Sequence, residues 1–548
     1  MSEENKINEI EEQSESVQTD DKKEESKEKK MSRKERLNAE LQGLSMKERK
    51  KVLEERKEKR RRNWYIGIGA VIAVLVVALL FWDSGVLQRN MTALKVGEKS
   101  YTAAELDYYF YSNYNNYSSY ASYYGLDTQK SLKEQEIYKG TSWYDYFRDN
   151  AKSAITNVAV LNQEAEKAKF TLSEDGKKAV EKNIQELKDH CKENGYSASY
   201  YLKATFGEYM NLSTFKKVLT DSQLAQEYEK TKKESFKQTD KAVKDYYKKH
   251  SAELDTFEYQ AYQVPVDTGT ETDKDGKTKK PTEKELKAAR KKAKEGAAAL
   301  NKALTEQDDK TVTKLVEKYG ATDYSNQGYD SFSNLEFSDW LTDENRQTGD
   351  VTTVKNETEE SKGKKTLNGY YVVRFDQRYL DKYHNANFRN ILVPAKKEDE
   401  DHEHADAEQT EEQTKADYAA AEKKAKKLQA QWKKKGADED AFAKLAETES
   451  ADENSKDKGG LYENMSKTDV GEELLNWLFG EKRKAGDFTI LKDESSSGYQ
   501  LLYFQSYNKK LHWQDASVSA LQSEAYGKWY DKVKKNYKDS TTFMYRYV

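Results

Sequence analysis

Few residues in this chain could do chemistry by their type and spacing alone. His402 and His404 stand in the segment 396–412, "KKEDEDHEHADAEQTEE", which holds nine acidic residues and two lysines. Two imidazoles among carboxylates could bind a divalent cation, but a solvated acidic loop is the favoured interpretation, so we predict no metal site and no cofactor. Cys191 is the only cysteine, which excludes an intramolecular disulfide and any metal site built from several cysteines.

The charge balance excludes a global electrostatic role. Lys and Arg together number 94 and Asp and Glu 98, which gives a net charge of -4. This balance offers no argument for nucleic acid, and we predict no nucleic-acid partner. A chain of 548 residues is too long for one core, so we expect two to four domains.

One apolar segment predicts a membrane span. Trp64 to Trp82, "WYIGIGAVIAVLVVALLFW", carries no charge, has Trp at both ends and is long enough for a transmembrane helix. Residues 47–62 before it hold ten Lys and Arg side chains. The positive-inside rule then predicts a single-pass protein of the cell membrane, with residues 1–63 as a disordered, basic cytoplasmic leader and the rest outside the cytoplasm.

Residues 91–254 read as a helical N-terminal lobe. Thr102 with Glu105 three positions later predicts a helix that begins with a capping box. Aromatic residues then recur at spacings of three and four, at Phe110, Tyr114, Tyr117, Tyr120 and Tyr124. This stripe is either part of the core or a Tyr-rich surface for extended polypeptide, and the sequence leaves both open. A C-terminal helix within 509–548 is too apolar on one face to stand alone, so we expect it to pack on this lobe.

The rest of the chain repeats itself. "DWLTDENRQTGDVT" (339–352) matches "NWLFGEKRKAGDFT" (476–489), and "GYYVVRFDQ" (369–377) matches "GYQLLYFQS" (498–506). Self-similarity over about 130 residues predicts two copies of one domain rather than a solenoid. We call residues 255–383 the first repeat and residues 384–508 the second repeat, and we expect two antiparallel sheets with Trp340 and Trp477 in equivalent places.

The second repeat resembles the parvulin-type peptidyl-prolyl isomerases, and the whole chain resembles the PrsA- and SurA-like extracytoplasmic foldases. The resemblance rests on "NILV" for the first strand, "FAKLAETESADENSKDKGGL" for a helix, loop and Gly-Gly turn, "AGDFT", and "SGYQLLYF" for the last strand. It implies an α+β fold: a single transmembrane helix, a helical chaperone-like N-terminal lobe completed by a C-terminal helix, and two tandem parvulin-like antiparallel-sheet domains.

The resemblance also implies site residues in the second repeat. The family's two histidines fall on Asn390 and Gln500, its central acid or thiol falls on Asp452, and its small hydroxyl residue falls on Ser497. The predicted walls of a proline pocket are apolar residues at helical spacing, for which ordinary core is the alternative: Met465, Leu474, Leu475 and Phe479.

The corresponding positions of the first repeat are Ala261, Asp323, Asn368 and Tyr371, so both histidines are missing from both copies. Amides can donate hydrogen bonds to Asp452, but they cannot set a protonation state as imidazoles can. We therefore expect weak or no isomerisation in the second repeat and an inert first repeat.

The predicted function is a membrane-anchored extracytoplasmic folding factor of the prolyl-isomerase type that acts mainly as a chaperone. Its expected partners are unfolded or exported, proline-containing polypeptides, together with the membrane through one helix. The alternative is a non-catalytic envelope scaffold that binds one partner protein. The sequence leaves the oligomeric state open.

Overall fold

The computed structural model describes residues 41–269, 281–360, 364–395, 411–493 and 497–548. The first 40 residues of the predicted leader and the loop with His402 and His404 lie outside these ranges. The chain forms two compact units: one runs to Tyr228 and takes in Asn536–Val548, and the other is Glu229–Lys535. The domain boundaries predicted from the sequence stay predictions.

The first unit is helical, with a small three-stranded antiparallel sheet in the order β13-β1-β2 and a two-stranded pair β3-β4. Its described elements are α1 (Met46–Asp83), α2 (Val86–Asn90), β1 (Thr92–Val96), β2 (Lys99–Thr102), α3 (Ala103–Ser118), α4 (Ala121–Tyr124), β3 (Glu136–Tyr138), β4 (Thr141–Ser142), α5 (Trp143–Lys167), α6 (Glu174–Glu193), α7 (Ala198–Phe206), α8 (Leu212–Ser235) and β13 (Asp539–Thr541). The last turns of α8, from Glu229 onward, belong to the second unit.

Local sequence explains how the central helices of this unit begin and which face they bury. Helix α3 begins at the capping box predicted from the sequence, because the Thr102 side chain accepts from the N–H of Glu105 and the Glu105 carboxylate accepts from the N–H of Thr102. In α5 every fourth residue from Trp143 to Ala159 is buried, which is the spacing of one helix face. Together these rules bring the apolar faces of α3 and α5 into one core.

The prediction of a transmembrane helix over Trp64–Trp82 is wrong. In the described part of the chain, no helix is long and apolar enough to cross a membrane. Trp82, expected at a membrane interface, packs against Tyr547 with ring centroids 5.0 Å apart. The predicted location outside the cytoplasm stays a prediction.

The second unit contains two four-stranded antiparallel sheets, β6-β5-β8-β7 and β10-β9-β12-β11. Its described elements are α9 (Asp240–Lys249), α10 (Ser251–Leu254), β5 (Thr256–Pro265), α11 (Glu283–Thr305), α12 (Asp309–Tyr319), β6 (Thr322–Asp323), α13 (Tyr329–Phe332), α14 (Ser338–Thr342), β7 (Val351–Glu360), β8 (Lys364–Tyr379), β9 (Ala386–Pro394), α15 (Glu411–Lys434), α16 (Glu439–Glu449), β10 (Leu461–Met465), α17 (Glu472–Phe479), β11 (Phe488–Asp493), β12 (Gly498–Tyr507) and α18 (His512–Lys534).

The two sheets share one strand register. Pro265 pairs with Gly369 in the first repeat, and Pro394 pairs with Gly498 in the second. Pro394 follows Pro265 by the same number of residues as Gly498 follows Gly369. The central strands also carry a bulge at the same place, where the pairing skips one residue after Phe375 and after Phe504. Since a slip of one residue would turn every side chain to the other face, this shared register shows that the two sheets present equivalent positions on equivalent faces.

The tryptophan-to-arginine contact beside each sheet is repeated as well. Arg346 donates from Nε to the carbonyl of Trp340 at 3.1 Å, and Arg483 donates from Nε to the carbonyl of Trp477 at 2.6 Å. Each guanidinium also lies over the ring of its own tryptophan, at 4.1 Å and 5.2 Å from the ring centroid. Trp340 and Trp477 therefore occupy equivalent places.

Both faces of the second repeat's sheet are covered. Alternate residues of β9 point to opposite faces, as expected for a strand. Ile391 and Val393 pack in a cluster with α15 and α16, while Ala386 and Phe388 pack in another with α17. The side chain of Asn390 shares the face of Phe388, because it is two residues further along the strand. This second face is where the candidate site lies.

Helix α18 contacts helices that belong to the predicted N-terminal lobe. The rings of Tyr247 in α9 and Trp513 are 5.1 Å apart, and the Nζ of Lys232 lies 4.8 Å from the ring centroid of Trp529. After α18 the chain enters β13, which pairs with β1 through Leu94 and Thr541. The extent of the lobe proposed for residues 91–254 and 509–548 stays a prediction.

Candidate functional site

The central strands of the second repeat bring two of the sequence-predicted residues to one sheet face. Asn390 in β9 pairs with Leu502 in β12, and Gln500 is two residues from Leu502, opposite Leu392. Residues two apart on a strand share a face, so the Asn390 and Gln500 side chains are diagonal neighbours. Sequence alignment alone placed them in the two histidine positions of the family, and the strand register is consistent with that.

The loop after α16 is fixed to the edge of β9 and carries Asp452. The hydroxyl of Ser450 accepts the N–H groups of Leu392 and Asp452, each at 3.1 Å, and the N–H of Ala451 donates to the carbonyl of Leu392 at 3.0 Å. These bonds position the loop independently of the Asp452 side chain.

The Gly459-Gly460 turn closes this loop against Asn390. Both glycines have positive φ, 63° and 75°, which favours glycine over other residues. The N–H of Asn390 donates to the carbonyl of Gly460 at 2.8 Å, and a Cβ on Gly460 would lie 2.2 Å from the carbonyl oxygen of Asn390. The close approach explains why the turn requires a residue without a side chain.

Asp452 is the centre of a buried hydrogen-bond network. Its side chain is 7% exposed. Oδ2 accepts from Asn390 Nδ2 at 3.3 Å, from the Ser455 hydroxyl at 2.5 Å and from the Tyr462 hydroxyl at 2.9 Å. Oδ1 accepts the N–H of Asn454 at 3.2 Å. The carboxylate is therefore held by three side-chain donors and one backbone donor, which suits a buried charge.

The side-chain amide of Asn390 donates a hydrogen bond to Asp452, but its oxygen accepts none from the described residues. Its residue is 6% exposed, and its Oδ1 is buried without a hydrogen-bond partner among the described residues. An unpaired buried acceptor costs about 1–3 kcal/mol. The amide is therefore oriented by Asp452 at some cost in stability.

The side chain of Gln500 donates to a different carboxylate from that of Asn390. Its Nε2 donates to Oδ2 of Asp493 on the neighbouring strand β11. Asp493 lies two residues beyond Leu491, the residue that pairs with Gln500, and so shares its sheet face. The structure thus joins Asn390 to Asp452 and gives Gln500 a separate carboxylate partner. Ser497 is exposed at the start of β12 with a φ of 51°, and its carbonyl accepts the N–H of Ala395 at 2.8 Å. Among the described contacts, Ser497 has none with the Asp452 network.

The apolar residues predicted as pocket walls are only partly brought together. Met465, Leu474 and Phe479 are half-buried and pack against the cluster formed on this face by Ala386, Phe388, Leu478, Leu502 and Phe504. Leu475 is half-buried but is not part of that cluster. Helix geometry explains the difference, because Leu474 and Leu478 are four residues apart on one face of α17 whereas Leu475 is rotated by about 100°.

Tyr462 and Ser455 are site residues that sequence reasoning missed. The ring of Tyr462 stacks on Phe388, with centroids 5.3 Å apart and planes 17° apart, while its hydroxyl reaches Asp452. Burial and the bond to Asp452 raise the pKa of Tyr462 to about 12, so its hydroxyl stays protonated. Ser455 lies three residues after Asp452 and Tyr462 two residues after the glycine pair, and this spacing alone does not show that the turn brings both to the carboxylate.

The equivalent face of the first repeat is filled by aromatic rings. Ala261, at the place of Asn390, is fully buried opposite Val373. Tyr371, at the place of Gln500, is 4% exposed, and burial raises its pKa to about 12. Its ring lies edge-on to Phe337 at 5.2 Å and to Tyr324 at 5.5 Å.

The polar positions of the first repeat are not assembled into a site. Asp323 is exposed on β6, and its Oδ1 accepts the N–H of Ser325 at 2.8 Å. The carbonyl of Asn368 accepts the N–H of Val266 at 2.7 Å, which is the backbone role that Ser497 has in the second repeat. A buried carboxylate on this face is therefore a feature of the second repeat.

Among the comparisons with known proteins, the family match concerns the second repeat. Residues 404–506 match the family model of the rotamase, PPIC-type PPIase domain. The search of curated proteins gave no match. One similar solved structure is the crystal structure of the foldase protein PrsA from Lactococcus lactis, with 13% identity over 53% of this chain and 78% of that chain. Its TM-score of 0.17 is too low to support a conclusion about shape.

The resemblance inferred from the sequence is thus confirmed for the second repeat, where the polar network lies and where residues 404–506 match the parvulin-type (PPIC-type) peptidyl-prolyl isomerase domain.

Proposed function

We propose that this chain is a protein-folding factor whose second repeat binds proline-containing segments of unfolded polypeptides and isomerises them weakly or not at all. The match of residues 404–506 to the PPIC-type domain supports the class of ligand, since that class acts on the peptide bond before proline. The apolar cluster beside the Asp452 network supports the mode of binding. Met465, Leu474 and Phe479 offer apolar surface to a prolyl ring, next to polar groups that can orient a peptide.

The observation that carries the proposal is the pairing of Asn390 with Asp452 at 3.3 Å. Rotation about a prolyl peptide bond is slow, with a barrier of about 18–20 kcal/mol. Only contacts that are stronger with the twisted amide than with the planar one lower that barrier. Asn390 and Gln500 already donate to Asp452 and Asp493, and neither amide can gain or lose a proton near neutral pH.

The site is therefore better suited to holding a prolyl segment than to stabilising its twisted state. Binding of planar and twisted amides with equal strength gives affinity without acceleration. A folding factor of this kind acts by occupying exposed segments of a client and delaying its aggregation. Chaperone action would then depend on binding surfaces and tolerate loss of the remaining catalysis.

Binding of a proline tetrapeptide to the full chain tests the proposal. We expect Leu474→Ser to weaken binding at least fivefold, because it removes part of the apolar wall. The matched control is Leu335→Ser, which removes a leucine packed against the aromatic cluster of the first repeat and is expected to leave binding within twofold. Fluorescence anisotropy of a labelled peptide measures both. Equal weakening by the two changes, or no binding by the unaltered chain, would contradict the proposal.

A further inference from the structure

The first unit exposes a concentrated set of aromatic side chains. Outside α1, the large apolar side chains that are exposed in the described residues number nine: Met91, Tyr120, Tyr123, Tyr124, Tyr138, Tyr196, Tyr200, Tyr379 and Phe543. Four of these nine are tyrosines between residues 120 and 138. Single exposed apolar residues are common on protein surfaces, but a contiguous group marks an interaction site.

Three of these exposed tyrosines belong to a row of five rings, which we call the tyrosine row: Tyr123, Tyr124, Tyr117, Tyr146 and Tyr138. Tyr117 and Tyr146 are half-buried, and Tyr120 is not part of the row. Successive ring centroids are 5.0, 4.7, 5.7 and 6.3 Å apart, and successive ring planes meet at 87°, 45°, 75° and 77°. The rings are thus tilted against one another along the whole row. Tilted neighbours present both ring faces and ring edges to a ligand.

The middle of the row rests on a rigid core. Tyr117 and Tyr146 contact the ring of Trp143 at 5.6 Å and 5.8 Å, and Trp143 stacks on Phe147 at 5.4 Å. Trp143 is 1% exposed and Phe147 is fully buried. Rings held in this way lose little conformational freedom when a ligand binds, which favours affinity.

The row also offers a hydrogen-bond donor. The hydroxyls of Tyr117 and Tyr146 are 2.7 Å apart, and one donates to the other. The accepting hydroxyl keeps its own proton available for a ligand. The bond to Tyr146, followed by burial, raises the pKa of Tyr117 to about 12, so the Tyr117 hydroxyl stays protonated at neutral pH.

The geometry points to the tyrosine row as a second binding surface, which takes proline-containing segments of polypeptide in the polyproline II conformation. Such segments have no internal hydrogen bonds, so their carbonyls are free to accept from a tyrosine hydroxyl. Their prolyl rings pack into crevices between aromatic rings, which is how aromatic-lined grooves recognise them. The five rings are uncharged, although the exposed Glu136 and Lys139 flank Tyr138, so the rings themselves match an uncharged stretch of chain. This inference rests on the proposed function only for the choice of proline-containing clients.

Photo-crosslinking to the full chain tests this surface. The probe is a ten-residue peptide of alternating alanine and proline that carries a benzophenone group at its centre, and attachment sites are mapped by mass spectrometry. We expect attachment within residues 114–146, with a yield that does not fall between low and high salt. Attachment confined to other residues, or a yield that falls steeply with salt, would overturn the inference.

Two pairs of substitutions make the test specific. Tyr123→Ser with Tyr138→Ser removes the two ends of the row, which are 83% and 63% exposed, and should lower attachment at residues 114–146 at least fivefold. Tyr196→Ser with Tyr200→Ser is the matched control, since these tyrosines are also exposed and 5.8 Å apart but lie outside the row. The control should keep the yield within twofold. Equal loss in both variants would overturn the inference.

The same maps separate this inference from the proposed function. Attachment within residues 384–508 reports on the second repeat, and attachment within 114–146 reports on the row. A chain that attaches the probe only at 384–508 keeps the proposed function and refutes the row as a binding surface. A chain that attaches the probe only at 114–146 keeps the row as a binding surface and refutes the proposed function. If the probe fails to attach to the row and the Tyr123 and Tyr138 changes alter the sedimentation of the chain, the row is an interface between copies, which also refutes the inference.

Discussion

The side-chain amide of Asn390 donates from Nδ2 to Oδ2 of Asp452 over 3.3 Å, on the sheet face that also carries Phe388. The carboxylate is buried and fully supplied with donors, whereas the Oδ1 of Asn390 has no partner among the described residues. A pair that leaves a buried acceptor unpaired is not the most stable solution for this position. Such local costs are expected where a site is kept for binding rather than for stability.

Removal of the carboxylate should destabilise the second repeat. Asp452→Ala leaves the donors of Asn390, Ser455 and Tyr462 without their shared acceptor, which should cost about 2–4 kcal/mol. The measurement is hydrogen–deuterium exchange of the full chain, read from peptides that cover residues 386–394 and 450–465. Faster exchange is expected in both peptides.

The matched control for that change is Asp323→Ala in the first repeat. Asp323 is exposed and accepts one N–H in a turn, so its loss should change stability by no more than about 0.5 kcal/mol. If Asp323→Ala accelerates exchange in the first repeat as strongly as Asp452→Ala does in the second, the two carboxylates have equivalent roles and the contrast drawn between the repeats is wrong.

The shared strand register makes a second prediction. A Cβ at Gly498 would lie 2.4 Å from the carbonyl oxygen of Val393, and a Cβ at Gly369 would lie 2.3 Å from that of Val264. Because both obstacles are backbone atoms, Gly498→Ala and Gly369→Ala should each destabilise their own repeat by about 1–3 kcal/mol. Hydrogen–deuterium exchange of the two central strand pairs measures each effect separately.

Gly527→Ala serves as the control for these glycine changes. Gly527 lies inside helix α18, and nothing approaches the position of its Cβ within 4 Å. Alanine should therefore stabilise the helix by about 0.5–1 kcal/mol. Tolerance of alanine at Gly369 but not at Gly498 would show that the sheets differ in register, against the pairing described above.

Much of the fold could be predicted from the sequence because its signals are local or repeated. Thr102 and Glu105 are three residues apart, and the capping box between them depends only on that spacing. The matched Trp340 and Trp477 segments gave equivalent positions, since identical side-chain patterns pack on identical sheet faces. Asn390 and Asp452 were paired through the resemblance to the parvulin family, and the structure places them in contact.

Other parts of the site depend on the path of the chain and could not be predicted. Ser455 and Tyr462 reach Asp452 because the Gly459-Gly460 turn folds the loop back, and the spacing of these residues does not reveal that path. Gln500 was expected near Asp452, but the register of β11 supplies Asp493 as its partner. The transmembrane prediction rested on the composition of residues 64–82 and their basic flank, and it is wrong because no helix in the described part of the chain is long and apolar enough to cross a membrane.

A buried acid in the first unit predicts a pH-dependent stability. Asp107 in α3 is 3% exposed, and burial raises its pKa well above its usual value of about 3.9. The folded chain therefore retains a proton that the unfolded chain loses above about pH 4. Stability contributed by this group is present at low pH and falls as pH rises, by up to about 1.4 kcal/mol per pH unit until the folded pKa is reached.

Asp107→Asn should remove that dependence, because the amide resembles the protonated acid in shape and polarity. The variant should be more stable than the unaltered chain at pH 7, and the difference should shrink towards zero near pH 4. Calorimetric melting of both proteins between pH 4 and pH 8 measures this. A difference that is constant across that range would show that the Asp107 carboxyl does not hold its proton in the folded chain.

The most direct test of the account is the rate of cis–trans exchange of a proline tetrapeptide in the presence of the full chain, measured by NMR exchange spectroscopy together with the line broadening that reports binding. The uncatalysed exchange takes tens to hundreds of seconds at about 25 °C. We predict clear broadening of the peptide signals, abolished by Leu474→Ser, with an exchange rate no more than about tenfold above the uncatalysed one. Acceleration by several orders of magnitude, lost in Asp452→Ala, would contradict the claim that this domain is kept mainly for binding.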